Sequence, residues 1–143
     1  MKEMQFVVEI HACKEKVWDT LWQDKTLRDW AGIIDPGTYM VGELKEGNEV
    51  QWISAENGYG VTSLVEKLIP CEYLRLLHQA DTQDSGERER AKEWTGGAES
   101  YTLKQNDGIT TITAEFDVPE EMEDYFNTAY PKALQRVKEL AEE

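Results

Sequence analysis

The spacing of apolar residues predicts that the chain opens with a strand followed by two helices. Residues 6–10 form a short run rich in β-branched side chains, which is typical of a strand. Val17, Trp18, Leu21 and Trp22 are then spaced by three and four, as on one face of a helix. The same spacing resumes after polar residues 23–25, so we predict two short helices rather than one.

Turn residues indicate that positions 38–116 form a series of antiparallel strands. Segments rich in Gly, Asn, Asp and Pro separate predicted strands at 39–44, 50–54, 61–69, 73–79, 99–104 and 109–116. Asn57-Gly58 predicts a two-residue type I′ hairpin, because both central positions of that turn have positive φ. Residues 81–90 are too polar to be buried and too numerous for a tight hairpin. We predict that they form a mobile rim or a short helix.

The last part of the chain has the clearest helical pattern. Its apolar stripe consists of Met122, Phe126, Ala129, Ala133, Val137 and Leu140. The stripe predicts a helix from about Pro119 to Ala141, with a kink or break near 127–130, because Pro131 removes a hydrogen bond in mid-helix. The order of elements predicts an α+β fold, in which a curved, seven-stranded antiparallel sheet wraps around this helix. Residues 1–143 are predicted to form one domain.

Charge and hydropathy narrow the classes of partner. The 143 residues carry 29 acidic and 15 basic side chains, a formal net charge of −14. This charge would repel nucleic acids and anionic membrane surfaces. No run of residues is apolar enough for a signal peptide or a membrane span, so we expect a cytoplasmic location and no membrane insertion.

Residues able to perform covalent or metal chemistry are few. The chain has two histidines and two cysteines, His11, His78, Cys13 and Cys71. Their spacing does not fit a zinc site, and neither pair completes a catalytic triad, so we assign no metal, no cofactor and no catalytic residue. Glu99 and Glu115, on the strands that flank the last hairpin, are the acids most expected to have an unusual orientation, although acids on strands more often face solvent.

The supply of aromatic side chains is the strongest indication of a binding site. Five tryptophans, six tyrosines and three phenylalanines are many for a chain of this length. Such side chains line small-molecule pockets, but they also fill cores. The candidate ligand-binding residues are Trp30, Trp52, Trp94, Tyr101, Met122 and Phe126.

Several segments, taken in order, resemble one known family. The opening Val8-x-Ile10-x-Ala12, followed by Val17-Trp18, resembles the start of the activator of heat-shock protein 90 ATPase homologue family, within the START and Bet v 1-like (SRPBCC) superfamily. Later segments also match, and they are Gly42-Glu43-Leu44-Lys45-Glu46-Gly47, Glu66-Lys67-Leu68-Ile69-Pro70-x-x-Tyr73-Leu74 and Tyr130-Pro131-x-Ala133-Leu134-x-x-Val137-Lys138-x-Leu140. The resemblance spans nearly the whole chain.

The resemblance implies a helix-grip fold with an internal cavity between the sheet and the C-terminal helix. Across the superfamily such cavities hold lipids, sterols, polyketides and other apolar molecules, so we expect an apolar small-molecule ligand, lipid-like or aromatic. Two alternatives stay open. One is a protein-interaction domain resembling the chaperone activator, with a protein partner, and the other is an enzyme that uses the cavity for acid/base chemistry.

Overall fold

The computed structural model describes all residues from Met1 to Glu143 and places every helix on one face of a curved antiparallel sheet. The elements in chain order are β1 (Lys2–Ile10), α1 (Lys14–Trp22), α2 (Asp24–Ile34), β2 (Thr38–Val41), β3 (Glu49–Ser54), β4 (Gly60–Ile69), β5 (Tyr73–Gln83), β6 (Arg88–Glu89), β7 (Ala98–Asn106), β8 (Ile109–Val118), a 3₁₀ turn (Glu120–Met122) and α3 (Glu123–Glu142). The predicted fold class, with two short helices between the first two strands and a long terminal helix, is confirmed. None of the helices combines the length and apolarity needed to cross a bilayer.

The seven main strands lie in the order β1-β8-β7-β5-β4-β3-β2, and each neighbouring pair is antiparallel. The two-residue strand β6 lies off this path and pairs with the end of β5. Strand β1 pairs with β8 along its full length, so that Met4 lies opposite Phe116. The first and last strands are therefore neighbours, while β1 and β2 form the two edges.

The apolar stripes predicted from the sequence form the core between the sheet and the helices. Val17 and Leu21 of α1 and Leu27 and Trp30 of α2 are buried. Helix α3 packs against α1, α2 and β1. Its buried residues are Phe126, Ala129, Tyr130, Ala133, Leu134, Val137 and Ala141. Burial of this stripe, more than helix propensity, holds α3 in place.

Of the kink or break predicted near 127–130, the break does not occur, because helix α3 continues through Pro131. Proline removes one backbone donor, which costs one hydrogen bond of the helix. Pro131 itself faces solvent, while Tyr130, Ala133 and Leu134 beside it are buried in the core. Packing on both sides of the proline thus keeps the chain helical.

One predicted turn also differs in the structure. At Asn57-Gly58 only Gly58 has a positive φ, so the turn is not type I′. The Asn57 side chain instead accepts a hydrogen bond from the Tyr59 N–H at 2.8 Å, which is an Asx turn. The pair of positive φ values that defines type I′ occurs at Asp107 (52°) and Gly108 (78°), between β7 and β8.

The polar segment 81–90 is neither a helix nor wholly exposed. Strand β5 continues to Gln83, and the chain then turns back into β6. Asp81 is buried, contrary to the prediction, because protein donors surround its carboxylate. A buried charge is tolerated when hydrogen bonds replace its hydration.

Candidate functional site

A cavity of about 190 Å³, partly open to solvent, lies between the sheet, α2 and the first half of α3. Apolar and aromatic side chains supply most of its wall. The residues that line it are Trp30, Ala31, Ile34, Asp35, Thr38, Trp52, Ile53, Ser54, Tyr59, Gly60, Val61, His78, Arg90, Trp94, Glu99, Tyr101, Phe116, Phe126 and Tyr130.

Most of the candidate binding residues lie together at this cavity. Trp30, Trp52, Trp94, Tyr101 and Phe126 all line it. Met122 does not line it, although it precedes Phe126 by four residues. Met122 ends the 3₁₀ turn before α3, so the α-helical spacing that would align the two side chains does not apply. The cavity thus collects residues from α2, β3, β7, α3 and the segment before β7.

Aromatic rings pack against one another along the cavity wall. Trp94 contacts Phe126 with 5.5 Å between ring centroids, and Phe116 lies 4.4 Å from Tyr130 by the same measure. Trp22, behind the wall, packs edge-on against Tyr101 at 5.0 Å. These pairs lie within the range for favourable aromatic packing, so the wall is held in shape without a ligand.

A series of polar side chains also lies at the cavity, linked by hydrogen bonds except between His78 and Glu99. The Ser63 hydroxyl and His78 Nδ1 are 2.7 Å apart, and His78 Nε2 lies 3.5 Å from Glu99 Oε2. The Tyr101 hydroxyl donates to Glu99 Oε1 at 2.7 Å and also contacts the Tyr130 hydroxyl. Polar side chains on four elements, β4, β5, β7 and α3, therefore belong to this series.

Protonation of the tyrosines sets the direction of these hydrogen bonds. Burial raises the pKa of Tyr101 well above its usual value, and the nearby Glu99 charge raises it further. Burial also raises the pKa of Tyr130 strongly, again with a contribution from Glu99. Since both phenols keep their protons, Tyr101 donates to Glu99 and Tyr130 donates to Tyr101. The Glu99 carboxylate is thus the acceptor at the centre of the series.

An irregularity in the β4–β5 pairing turns Asp81 to the same side of the sheet as His78, which itself continues the regular alternation of Leu74 and Leu76. Ser63 pairs with His78, whereas Thr62 pairs with Ala80, so one extra residue of β5 is accommodated between them. Such a bulge shifts the alternation of side chains. His78 and Asp81, three residues apart, consequently face the same side of the sheet, which regular strand alternation forbids.

Asp81 fixes the segment that carries Trp94. Its Oδ1 accepts hydrogen bonds from the backbone N–H groups of Glu93 and Thr95 at 3.0 and 2.9 Å, from that of Trp94 at 3.0 Å, and from the Thr95 hydroxyl at 2.7 Å. Burial by itself raises the pKa of Asp81, but the hydrogen bonds outweigh burial and lower it overall. The structure therefore shows a positioning residue that the sequence prediction missed.

The remaining reactive side chains do not assemble into a catalytic or metal centre at the cavity. His11 and Cys13 are exposed and follow β1, while Cys71 occupies the β4–β5 turn. Ser63 is fully buried and does not line the cavity, so its contact with His78 does not present a nucleophile to a ligand. No group of three or more His, Cys, Asp or Glu side chains is arranged to hold a metal ion.

Solved structures show the same fold over nearly the full chain. The Aha1 dimer from Colwellia psychrerythraea has a TM-score of 0.74 at 21% identity, covering 99% of this chain and 97% of that one. Protein CV1439 from Chromobacterium violaceum has a TM-score of 0.71 at 15% identity, with the same coverage, and a protein from Arthrobacter aurescens has 0.72 at 13%, covering 97% and 85%. Comparison with family models and with curated protein sequences gives no match. This structural likeness shows that the chain shares the fold of these proteins, the Aha1 dimer among them.

Proposed function

We propose that the protein binds a small, mainly apolar molecule containing an aromatic ring in the cavity between the sheet, α2 and α3. The observation that carries this proposal is a partly open cavity whose wall is built from aromatic side chains already packed against one another. Small-molecule sites are concave and apolar, with a few polar groups that orient the ligand. His78, Glu99 and Arg90 are such polar groups in this wall.

The cavity volume favours a ligand of one ring over a long lipid. An engineered apolar cavity of about 150 Å³ holds one benzene molecule. The cavity of about 190 Å³ found here accommodates one ring with a short substituent. A long acyl chain would have to extend through the mouth of the cavity into solvent.

Titration with ring-containing probes, followed by tryptophan fluorescence, tests the proposal. Trp30, Trp52 and Trp94 line the cavity, so a bound ligand should quench or shift their emission in a saturable way. Phe126→Ala removes a ring from the wall, and it should improve the binding of two-ring probes relative to one-ring probes.

Phe6→Ala is the matched control for this experiment. Phe6 packs on Phe116 and Tyr130 from behind, at 5.8 and 5.4 Å between ring centroids, but does not line the cavity. The control should lower stability without changing the preference for probe size. Absence of saturable binding to the native protein, or the same change of preference in both variants, would contradict ligand binding in this cavity.

The protein-interaction alternative receives less support from the surface. The large exposed apolar residues include Val7 on β1, Val41 on β2 and Tyr125 on α3. Strands β1 and β2 lie at opposite edges of the sheet, so Val7 and Val41 do not belong to one docking patch.

A further inference from the structure

We propose that the ligand carries a positive charge, and that the cavity selects a single-ring aralkyl ammonium through the Glu99 carboxylate. This inference rests on the proposed function and adds the chemical class of the ligand. The available acceptor oxygen of Glu99, the charges around the cavity and the aromatic wall support it.

Glu99 retains an acceptor oxygen that no protein group occupies at hydrogen-bond distance. Its Oε1 accepts a hydrogen bond from the Tyr101 hydroxyl at 2.7 Å, whereas Oε2 lies 3.5 Å from His78 Nε2. That distance is longer than an ordinary N–H···O hydrogen bond. The side chain is 20% exposed at the cavity wall. A ligand N–H group could therefore complete the coordination of Oε2.

Tyr101 and Tyr130 hold this carboxylate in one orientation. The Tyr130 hydroxyl donates to the Tyr101 hydroxyl, and the Tyr101 hydroxyl donates to Glu99 Oε1. An acceptor fixed in this way loses little freedom when a ligand binds. The negative charge of this carboxylate repels an anionic ligand placed beside Oε2.

The other charged groups at the cavity favour a cation as well. The Arg90 guanidinium lies 3.5 Å from both Asp81 and Glu93, and its Nε donates to the Thr82 carbonyl at 2.8 Å. Arg90 is therefore neutralised within the protein. Asp35 contributes a second carboxylate to the lining. Beyond the cavity, the net charge of −14 attracts cations and repels anions.

The aromatic wall suits the same ligand class. Faces of tryptophan and tyrosine rings attract an ammonium group within about 6 Å of the ring centroid. Trp30, Trp52 and Trp94 line the same cavity as Glu99. A ligand with one ring and a short ammonium arm would satisfy both the apolar wall and the carboxylate within about 190 Å³.

Isothermal titration at low ionic strength with three ligands of similar shape and different charge tests the inference. The ligands are 2-phenylethylammonium, neutral 2-phenylethanol and anionic phenylacetate. A hydrogen bond to a charged group is stronger than one between neutral groups, so the ammonium should bind about tenfold or more tightly than the alcohol. Phenylacetate should bind more weakly than either. This comparison uses the unaltered protein and does not depend on the folding of any variant.

Glu99→Gln and Glu115→Gln separate the local carboxylate from the overall charge. Glu115 lies on β8 opposite Ser100, whereas Glu99 lies opposite Phe116, so the two acids occupy neighbouring positions on opposite faces of the sheet. Each substitution removes one negative charge. Glu99→Gln should reduce the affinity for the ammonium to about that for the alcohol, while Glu115→Gln should leave the ratio unchanged.

The outcomes distinguish this inference from the function on which it rests. If the alcohol binds and the ammonium binds no more tightly, or if Glu115→Gln reduces the ratio as much as Glu99→Gln, cation selection by Glu99 is wrong and the cavity remains an aromatic binding site. If none of the three ligands and no other ring-containing probe binds, the proposed function itself fails, and this inference with it.

Discussion

Replacing Asp81 by Asn should destabilise the protein strongly, although the two side chains have nearly the same shape. The Asp81 side chain is fully buried and its Oδ1 accepts hydrogen bonds from three backbone N–H groups and one hydroxyl. The second oxygen, Oδ2, accepts from the Trp94 N–H at 3.1 Å and faces Arg90. An Asn amide in that place would direct its own N–H groups at these donors.

The structure gives a rough magnitude for this change. Hydrogen bonds to a charged acceptor contribute about 1.5–3 kcal/mol each, against about 0.5–1.5 kcal/mol for neutral pairs. Several bonds lose this charge assistance, but they share one acceptor and their contributions do not add in full. We therefore expect the free energy of unfolding to fall by about 3 kcal/mol, which is a large part of the stability of a typical domain.

Urea denaturation followed by tryptophan fluorescence measures this loss, with Asp84→Asn as the control. Asp84 lies in the same β5–β6 hairpin and pairs only with Arg88 at the surface. It already has a positive φ, which Asn accepts readily. The control removes the same charge and should change stability by less than about 1 kcal/mol. An equal effect of the two substitutions would refute the role given to Asp81.

The same residue predicts a pH dependence with a definite sign. The hydrogen bonds hold the pKa of Asp81 below its unfolded value of about 3.9, so its contribution is complete above that pH and is lost as pH falls through the folded pKa. The stability difference between the native protein and Asp81→Asn should therefore be constant from about pH 5 upward and shrink below about pH 4. A difference that stays constant down to pH 2 would contradict this assignment.

Three further predictions follow from packing and charge. Gly60→Ala should lower the free energy of unfolding by about 1–3 kcal/mol, because a Cβ there would lie 2.1 Å from the Trp52 carbonyl oxygen. Gly32→Ala in α2 should raise it by about 0.5–1 kcal/mol, because a Cβ there meets no atom within 4 Å. Urea denaturation measures both changes. Tyr130→Phe should lower the free energy of unfolding by about 1 kcal/mol in the same assay, because Tyr101 loses the hydrogen bond from the Tyr130 hydroxyl but keeps its own bond to Glu99. An unchanged free energy of unfolding would contradict the hydrogen bond between the two tyrosines. The melting temperature should rise with added salt from low ionic strength, since screening relieves the repulsion within a chain of net charge −14, and a flat or falling response in a thermal scan would contradict this.

The sequence was sufficient to predict the elements whose stabilisation is local or periodic. The stripe from Phe126 to Val137 identified α3, and turn residues divided the strands, because burial and turn geometry act over a few neighbouring positions. The aromatic candidates also converged on one cavity. Residue type alone was enough to choose these candidates, because small-molecule cavities are lined mainly by apolar and aromatic side chains.

The features that the sequence did not reveal depend on partners distant in the chain. Burial of Asp81 requires the N–H groups of residues 93–95, and its inward orientation requires the irregular pairing of β4 with β5 that follows His78. Hydrophobic periodicity contains neither fact, because a bulge changes the alternation by one residue without any distinctive residue type. The unbroken passage through Pro131 was missed for a related reason, since packing of the flanking side chains outweighed a local preference.

The pairing of β1 with β8 also determines when the sheet can close during folding. Residues such as Met4 and Phe116, which lie opposite each other, come from the two ends of the series of strands. Contacts between residues so far apart in sequence carry a high entropic cost of loop closure and slow the folding reaction. During synthesis β1 has no partner until β8 has left the ribosome, while hairpins such as β7–β8 can form at once. The N-terminal strand should therefore be the last part of the sheet to gain protection against hydrogen exchange during refolding.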